Sequence, residues 1–213
     1  MARTTSIRTT VPGLDRAESG RAITIMQERL TTLIDLQLTL KHIHWNVVGM
    51  NFIAVHEMLD PQYDAVRAMT DELAERIATM GGEPLGTPGS VVRIRSWDDY
   101  ALNREPAVRH LSALDDVYTG VIQDHRRATE KIGQIDPVTE DLFIGHLRQL
   151  ELFQWFIRAH LKDASGDVVF RDGGAPNGSH ANGKSSNGKS PNGTKANRTQ
   201  SSGARAKKAA ARR

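Results

Sequence analysis

The chain has 213 residues, a formal net charge of +3 and no cysteine, which allows one domain of ordinary size plus appendages and excludes disulfides, thiolate metal sites and cysteine nucleophiles. Its charge is divided: residues 171–213 hold 10 of the 28 Lys and Arg but only one of the 25 Asp and Glu, so an acidic body is joined to a basic tail. No apolar run is long enough to span a bilayer and the first residues, MARTTSIRTTVPGL, contain no signal-peptide core, so a cytoplasmic protein is expected.

Residues 1–20, rich in Thr and Arg and including Arg3 and Arg8, read as a flexible arm. From Arg21 the apolar residues Ile23, Met26, Leu30, Leu33, Leu36, Leu40, Ile43 and Val47 step by threes and fours, the period of an amphipathic helix that Gly49 ends. A second helix follows Asn51 through Val55, Leu59, Val66, Met69, Leu73, Ile77 and Met80. Pro61 interrupts that pattern at a cost of about 3 kcal/mol in a helix interior, so either the helix kinks or Asp60 caps a helix starting at Pro61.

GGEPLGTPGSVVRIR, residues 81–95, reads as a crossover, with a short helix capped by Ser96 and Asp99 running to about Arg104. Pro106 suits the first turn of a third long helix ending at Gly133, and Asp136-Pro137 opens a fourth through Leu161. No strand pattern competes for the core. The expected fold is all-α: a ferritin-like four-helix bundle over residues 21–165, with a short extra helix in the long crossover between helices two and three. From residue 166 periodicity disappears, Asn-Gly recurs at 177, 182, 187 and 192, and the segment to residue 213 is expected to be a disordered basic tail.

The chemistry concentrates in KHIHWNVVGMNFIAVHEM and the residues after it. His44 and His56 flank the Gly49–Asn51 break, and Asp60 follows His56 by four residues. Two imidazoles and a carboxylate with open positions suit ferrous iron. Asp71 and Glu75, in DELAERI, extend the set. On a helix His56, Asp60, Asp71 and Glu75 fall within an arc of about 100°, yet Asp60 and Asp71 lie roughly 16 Å apart along the axis, too far for one metal centre. If all five serve one centre, two chains must meet antiparallel across a two-fold axis. The competing reading is a solvated acidic face, with Asp71, Glu72 and Glu75 paired to Arg67 or Arg76 at helical spacing. Glu-x-x-His, which builds a di-iron centre inside one bundle, occurs nowhere in the chain.

HWNVVGMNFIAVHEMLD, followed eleven residues after Asp60 by DELAERI, resembles the ferroxidase signature of the Dps family, the mini-ferritins named as DNA-binding proteins from starved cells. FQWFIRAHL near the end of the fourth helix looks like the family's closing motif, and the resemblance covers roughly residues 10–165; the basic tail resembles the actinobacterial branch. The resemblance implies a hollow shell of twelve bundles built from dimers. It also implies ferroxidase sites of two irons each at the dimer interfaces, where His44, His56 and Asp60 of one subunit face Asp71 and Glu75 of its two-fold partner. Zn²⁺ is a possible substitute ion. Trp45, beside a ligand, is either a sink for stray oxidising equivalents or a packing residue, whereas Trp155 reads as packing. His42 points about 200° from His44 on a helix and is not a ligand from that face. By the same resemblance Asp124, Asp136 and Asp141 occupy the region of three-fold pores, although Asp136 also suits an N-cap. His146 is placed near an internal iron path, with packing the favoured role.

An acidic body should repel DNA. Binding would therefore fall to the tail's Lys184, Lys189, Lys195, Arg198, Arg205, Lys207, Lys208, Arg212 and Arg213, multiplied over the copies of an oligomer, nonspecific and salt-sensitive, at the nucleoid. The function expected is peroxide-preferring ferroxidation and iron storage with DNA protection against oxidative damage. The alternatives are a DNA-compacting scaffold on the same fold with little ferroxidase activity, in which a bound ion is structural, and an apolar-ligand-binding bundle.

Overall fold

The computed structural model describes residues 11–162. The elements run in the order α1 (Arg16–Asn46), β1 (Val47–Val48), α2 (Phe52–Thr79), α3 (Pro88–Ile94), β2 (Glu105–Pro106), α4 (Ala107–Gly133) and α5 (Pro137–Leu161). This is the ferritin-like arrangement of four long helices, with α1 packed chiefly on α2 and α4 on α5. The shared core is made of the stripes seen in the sequence, including Leu33, Leu40 and Ile43 of α1, Leu59, Leu73 and Ile77 of α2, Leu114 and Tyr118 of α4, and Phe143, Leu150 and Ile157 of α5. Each fully buried side chain of this size contributes roughly 1.5–3 kcal/mol. The Tyr118 hydroxyl, inside that core, donates to Gln62 Oε1 at 2.9 Å.

Three boundaries differ from the periodicity. α1 starts at Arg16 because Asp15 forms a capping box: its carboxylate accepts from Glu18 N–H at 2.7 Å, and Glu18 accepts from Asp15 N–H at 2.9 Å. α2 continues through Pro61, so Asp60 caps nothing and stands in the helix interior. The short crossover helix is Pro88–Ile94, not 96–104. The residues around Ser96 are anchored otherwise: Trp97 Nε1–H donates across the bundle to Asp35 Oδ2 at 2.8 Å, and Arg95 bridges Asp35 and Asp99.

Val47 and Val48 pair in parallel with Glu105 and Pro106, a two-residue ladder with no signal in the sequence. It ties the end of α1 to the start of α4, with Pro106 preceding α4 rather than lying in it. His42 supports the same junction, its Nε2 donating to Leu102 O at 2.7 Å. Gly49, at φ +100°, takes the left-handed conformation that lets the chain reverse from β1 into α2. That reversal places His44 and His56 side by side.

Candidate metal centre

His44 lies in the last turn of α1 and His56 near the start of α2. Their rings stack with centroids 3.6 Å apart and planes 24° apart. His44 Nδ1 is 3.0 Å from His56 O, and His56 Nδ1 is 2.9 Å from His44 O. A carbonyl oxygen only accepts, so each Nδ1 carries the proton and each Nε2 keeps its lone pair. The fold thereby fixes in both rings the tautomer a metal requires. His44 O is available because the last carbonyls of a helix have no helical N–H.

Asp60 completes the group. Its Oδ1 accepts from Lys41 Nζ at 2.7 Å and lies 3.1 Å from His44 Nδ1. The Lys41 hydrogen bond, opposed by burial and helped by the Lys41 charge and by His44 and His56 when they are protonated, holds the Asp60 carboxyl below the usual carboxylate range. Lys41 also sits 4.9 Å above the Tyr63 ring. The sequence reading gave Lys41 no role, although it opens the quoted stretch one turn before Trp45.

Asp71 and Glu75 are brought to no such place: both are exposed on the later turns of α2. Of the pairings that the acidic-face reading names, Arg76 turns instead to Asp136 at 2.7 Å, while Glu72, exposed like Asp71 and Glu75, meets His146 Nε2 at 3.3 Å. Among the described residues no three His, Cys, Asp or Glu side chains converge to hold a metal ion within one chain. One chain therefore presents a locked histidine pair with one carboxylate, and a separate exposed carboxylate pair.

The surface around the histidines is apolar. Trp45 is 72% exposed, with Met50, Phe52 and Ile53 exposed nearby in sequence, and the Phe52 ring lies 5.0 Å from that of His56. Packing within the chain thus explains neither Trp45 nor Trp155, which is 62% exposed beside Phe156.

Of the three expected pore residues, Asp136 is buried. It caps α5 by accepting from Thr139 N–H at 3.0 Å and from Arg76, and although burial raises its pKa, the Thr139 and Arg76 interactions outweigh that and hold the carboxyl low. Asp124 pairs with Arg127 and lies 3.6 Å from Arg29. Asp141 is exposed, on a cavity of about 450 Å³ between α2 and α5 that Glu72 and His146 also line. Each of the three thus has separate surroundings within one chain.

His146 is buried and faces His125, ring to ring at 5.7 Å. Burial lowers the pKa of His146 against the pull of Glu72. His125 has neither ring nitrogen hydrogen-bonded, and burial, with His146 and Arg29, pushes its pKa down to about 3. The sequence pattern did not single it out. The nine basic tail residues expected to contact DNA lie outside the described residues.

No described helix is long and apolar enough to cross a membrane. The ferritin-like domain model matches residues 23–166. The chain is 52% identical over 160 residues to the "DNA protection during starvation protein" of Mycolicibacterium smegmatis, covering 75% of this chain and 87% of that one. It is 48% identical over 159 residues to the "Fine tangled pili major subunit" of Haemophilus ducreyi, covering 75% and 84%. Among solved structures it resembles DpsA14 from Streptomyces coelicolor, with 57% identity, a TM-score of 0.75 and coverage of 78% of this chain and 98% of that one.

Proposed function

The chain belongs to the Dps family of ferritin-like proteins, and on that premise we propose that it is a ferroxidase and iron store that also binds and protects DNA. The observation that carries this reading is the reciprocally bonded histidine pair. Its two Nε2 lone pairs and the half-exposed Asp60 are the hard and borderline donors that ferrous iron prefers.

Iron is the substrate. His44, His56 and Asp60 of one copy and Asp71 and Glu75 of a two-fold-related copy would hold two ferrous ions between them, with Glu75 as the bridge. The exposed apolar surface at Trp45, Met50, Phe52 and Ile53 supports this reading, since such a surface is the kind two copies bury against each other. Peroxide takes two electrons: two ferrous ions, one peroxide and two protons give two ferric ions and two waters. Paired oxidation releases no hydroxyl radical. Trp45, beside the ligand, would intercept oxidising equivalents that escape. Ferric product would collect in a shell of twelve copies, with Asp124 and Asp141 drawing Fe²⁺ inward, while the basic tails hold DNA in the cytoplasmic nucleoid.

A DNA-compacting scaffold with little ferroxidase activity is the second reading. It gains from Lys41, whose ammonium already occupies Asp60. Anaerobic loading with Fe²⁺, followed by peroxide, separates the two. Fast ferric absorbance at about one peroxide per two irons, with iron eluting in a large particle, supports the first; oxidation no faster than in buffer leaves the scaffold.

A further inference from the structure

A second cavity, remote in chemistry from the histidine pair, lies between α1, α4 and the crossover segment 97–102. Its volume, about 470 Å³, falls in the range of sites that enclose small molecules. Leu36, Val117 and Val121 form apolar walls, and Trp97 and Tyr100 add aromatic surface. Gly120 opens the α4 side, where a Cβ would meet no atom within 4 Å.

The described charged groups on this cavity are of one sign. Asp35, Asp98, Asp99, Asp116 and Asp124 line it, and among the described residues no Lys or Arg does. Three of them are compensated by residues outside the lining: Asp35 and Asp99 by Arg95, and Asp124 by Arg127. Asp98 and Asp116 are exposed, and no ion pair engages either among the described residues.

Thr39 supplies an independent sign of a ligand. Thr24, Thr31, Thr32, Thr119 and Thr129 each donate their hydroxyl to the carbonyl four residues earlier. Thr39, only 8% exposed and on the cavity wall, makes no such bond, and its hydroxyl has no partner among the described residues. The hydroxyl is open to the cavity rather than sealed off, so a donor placed in the cavity would take the place of water as its partner.

We propose that this groove binds an organic ammonium ion with a hydrocarbon body. The apolar walls would take the body. The ammonium would donate to Thr39 and approach Asp98 and Asp116, with the Trp97 and Tyr100 faces favouring positive charge. A bare metal ion makes no use of the walls, and no metal cluster forms here among the described residues.

The probe is 2-phenylethylammonium, titrated calorimetrically into the full-length protein alongside the neutral 2-phenylethanol. Saturable binding is expected, with the ammonium preferred by about tenfold, the size consistent with two partly exposed ion pairs. Asp98→Asn with Asp116→Asn should remove the preference. Gly120→Leu, which fills the groove from an open helical position, should abolish binding of both probes while ferrous oxidation and particle size stay unchanged. Absence of saturable ammonium binding, equal affinity for the two probes, or ammonium binding that survives Gly120→Leu overturns the assignment.

Discussion

His44 and His56 each hydrogen-bond through Nδ1 to the other's backbone carbonyl, at 3.0 and 2.9 Å, and their rings stack with centroids 3.6 Å apart, so each ring helps to orient the other. Removing one imidazole leaves the other ring its carbonyl acceptor but takes away the ring it stacks on. His44→Ala and His56→Ala should each weaken ferrous binding by about 10–100-fold, the usual cost of lost ligand orientation or more. The double variant should cost less than the sum of the two in free energy, because coupled groups are not additive. Anaerobic calorimetry with Fe²⁺ measures all three, and strict additivity would mean the pair does not act as a unit.

Lys41 stands where it competes with a cation for Asp60. Lys41→Met should raise the Asp60 pKa toward its ordinary value, seen by carboxyl NMR, since the Lys41 hydrogen bond is the largest cause of the lowering. It should also tighten binding of the first ferrous ion. Weaker binding would give Lys41 the opposite role, holding Asp60 in place. Stability at neutral pH should change by under about 1 kcal/mol, because a partly exposed ion pair is worth little.

Asp136 is a structural carboxylate. Asp136→Asn keeps the shape and the cap acceptor but leaves Arg76 facing a neutral group, and should cost roughly 2–4 kcal/mol from the lost ion pair. Its folded pKa is lowered, so its contribution is present above the unfolded carboxylate range and is lost as pH falls through the folded value. Denaturant unfolding at pH 7 and in acid should therefore show a large difference from the parent at pH 7 that shrinks in acid. Equal stability at pH 7 would remove the structural role.

His125 is buried without a hydrogen bond to either nitrogen. With a folded pKa of about 3, below its unfolded value, it stays neutral in the fold while the unfolded chain takes up a proton. It therefore destabilises progressively as pH falls from about 6.5 toward 3. His125→Leu should leave stability at pH 7 unchanged or improved by about 1–3 kcal/mol, because no hydrogen bond is lost and a desolvated polar group is removed. It should also flatten the acid slope in that window. An unchanged acid profile would show that His125 is protonated in the fold.

The long helices were legible because the Leu33, Leu40 and Ile43 stripe and its counterparts repeat the helical period over seven turns or so, and burial follows that period. What escaped was local chemistry overruled by distant partners. Asp15 and Glu18 form a capping box, but they sit in a segment whose Thr and Arg content reads as an arm. Ser96 and Asp99 have capping spacing, yet Arg95 and Trp97 reach Asp35, sixty residues away, and that tertiary anchoring prevails. The ladder of Val47–Val48 with Glu105–Pro106 is two residues long and nonlocal, so no pattern announces it. Spacing alone left Asp71 and Glu75 open between metal ligands and a solvated acidic face, and the five-ligand expectation rests on the resemblance to the Dps family. The mutual locking of His44 and His56, and the Lys41 contact to Asp60, depend on the Gly49 reversal that brings the end of α1 beside the start of α2.

The spacing argument for a shared centre admits a decisive complementation test. A His44→Ala, His56→Ala subunit lacks the histidine half, and an Asp71→Ala, Glu75→Ala subunit lacks the carboxylate half, so each alone should oxidise iron no faster than buffer. In a two-fold dimer of one copy of each, one interface site combines both defective halves, while the other combines both intact halves. Random coassembly makes half the dimers mixed, and each mixed dimer restores one of its two sites, so coexpression should recover about a quarter of the parent rate. If all five residues served one centre within a chain, or the two halves acted independently, no mixture of the two inactive variants would regain activity.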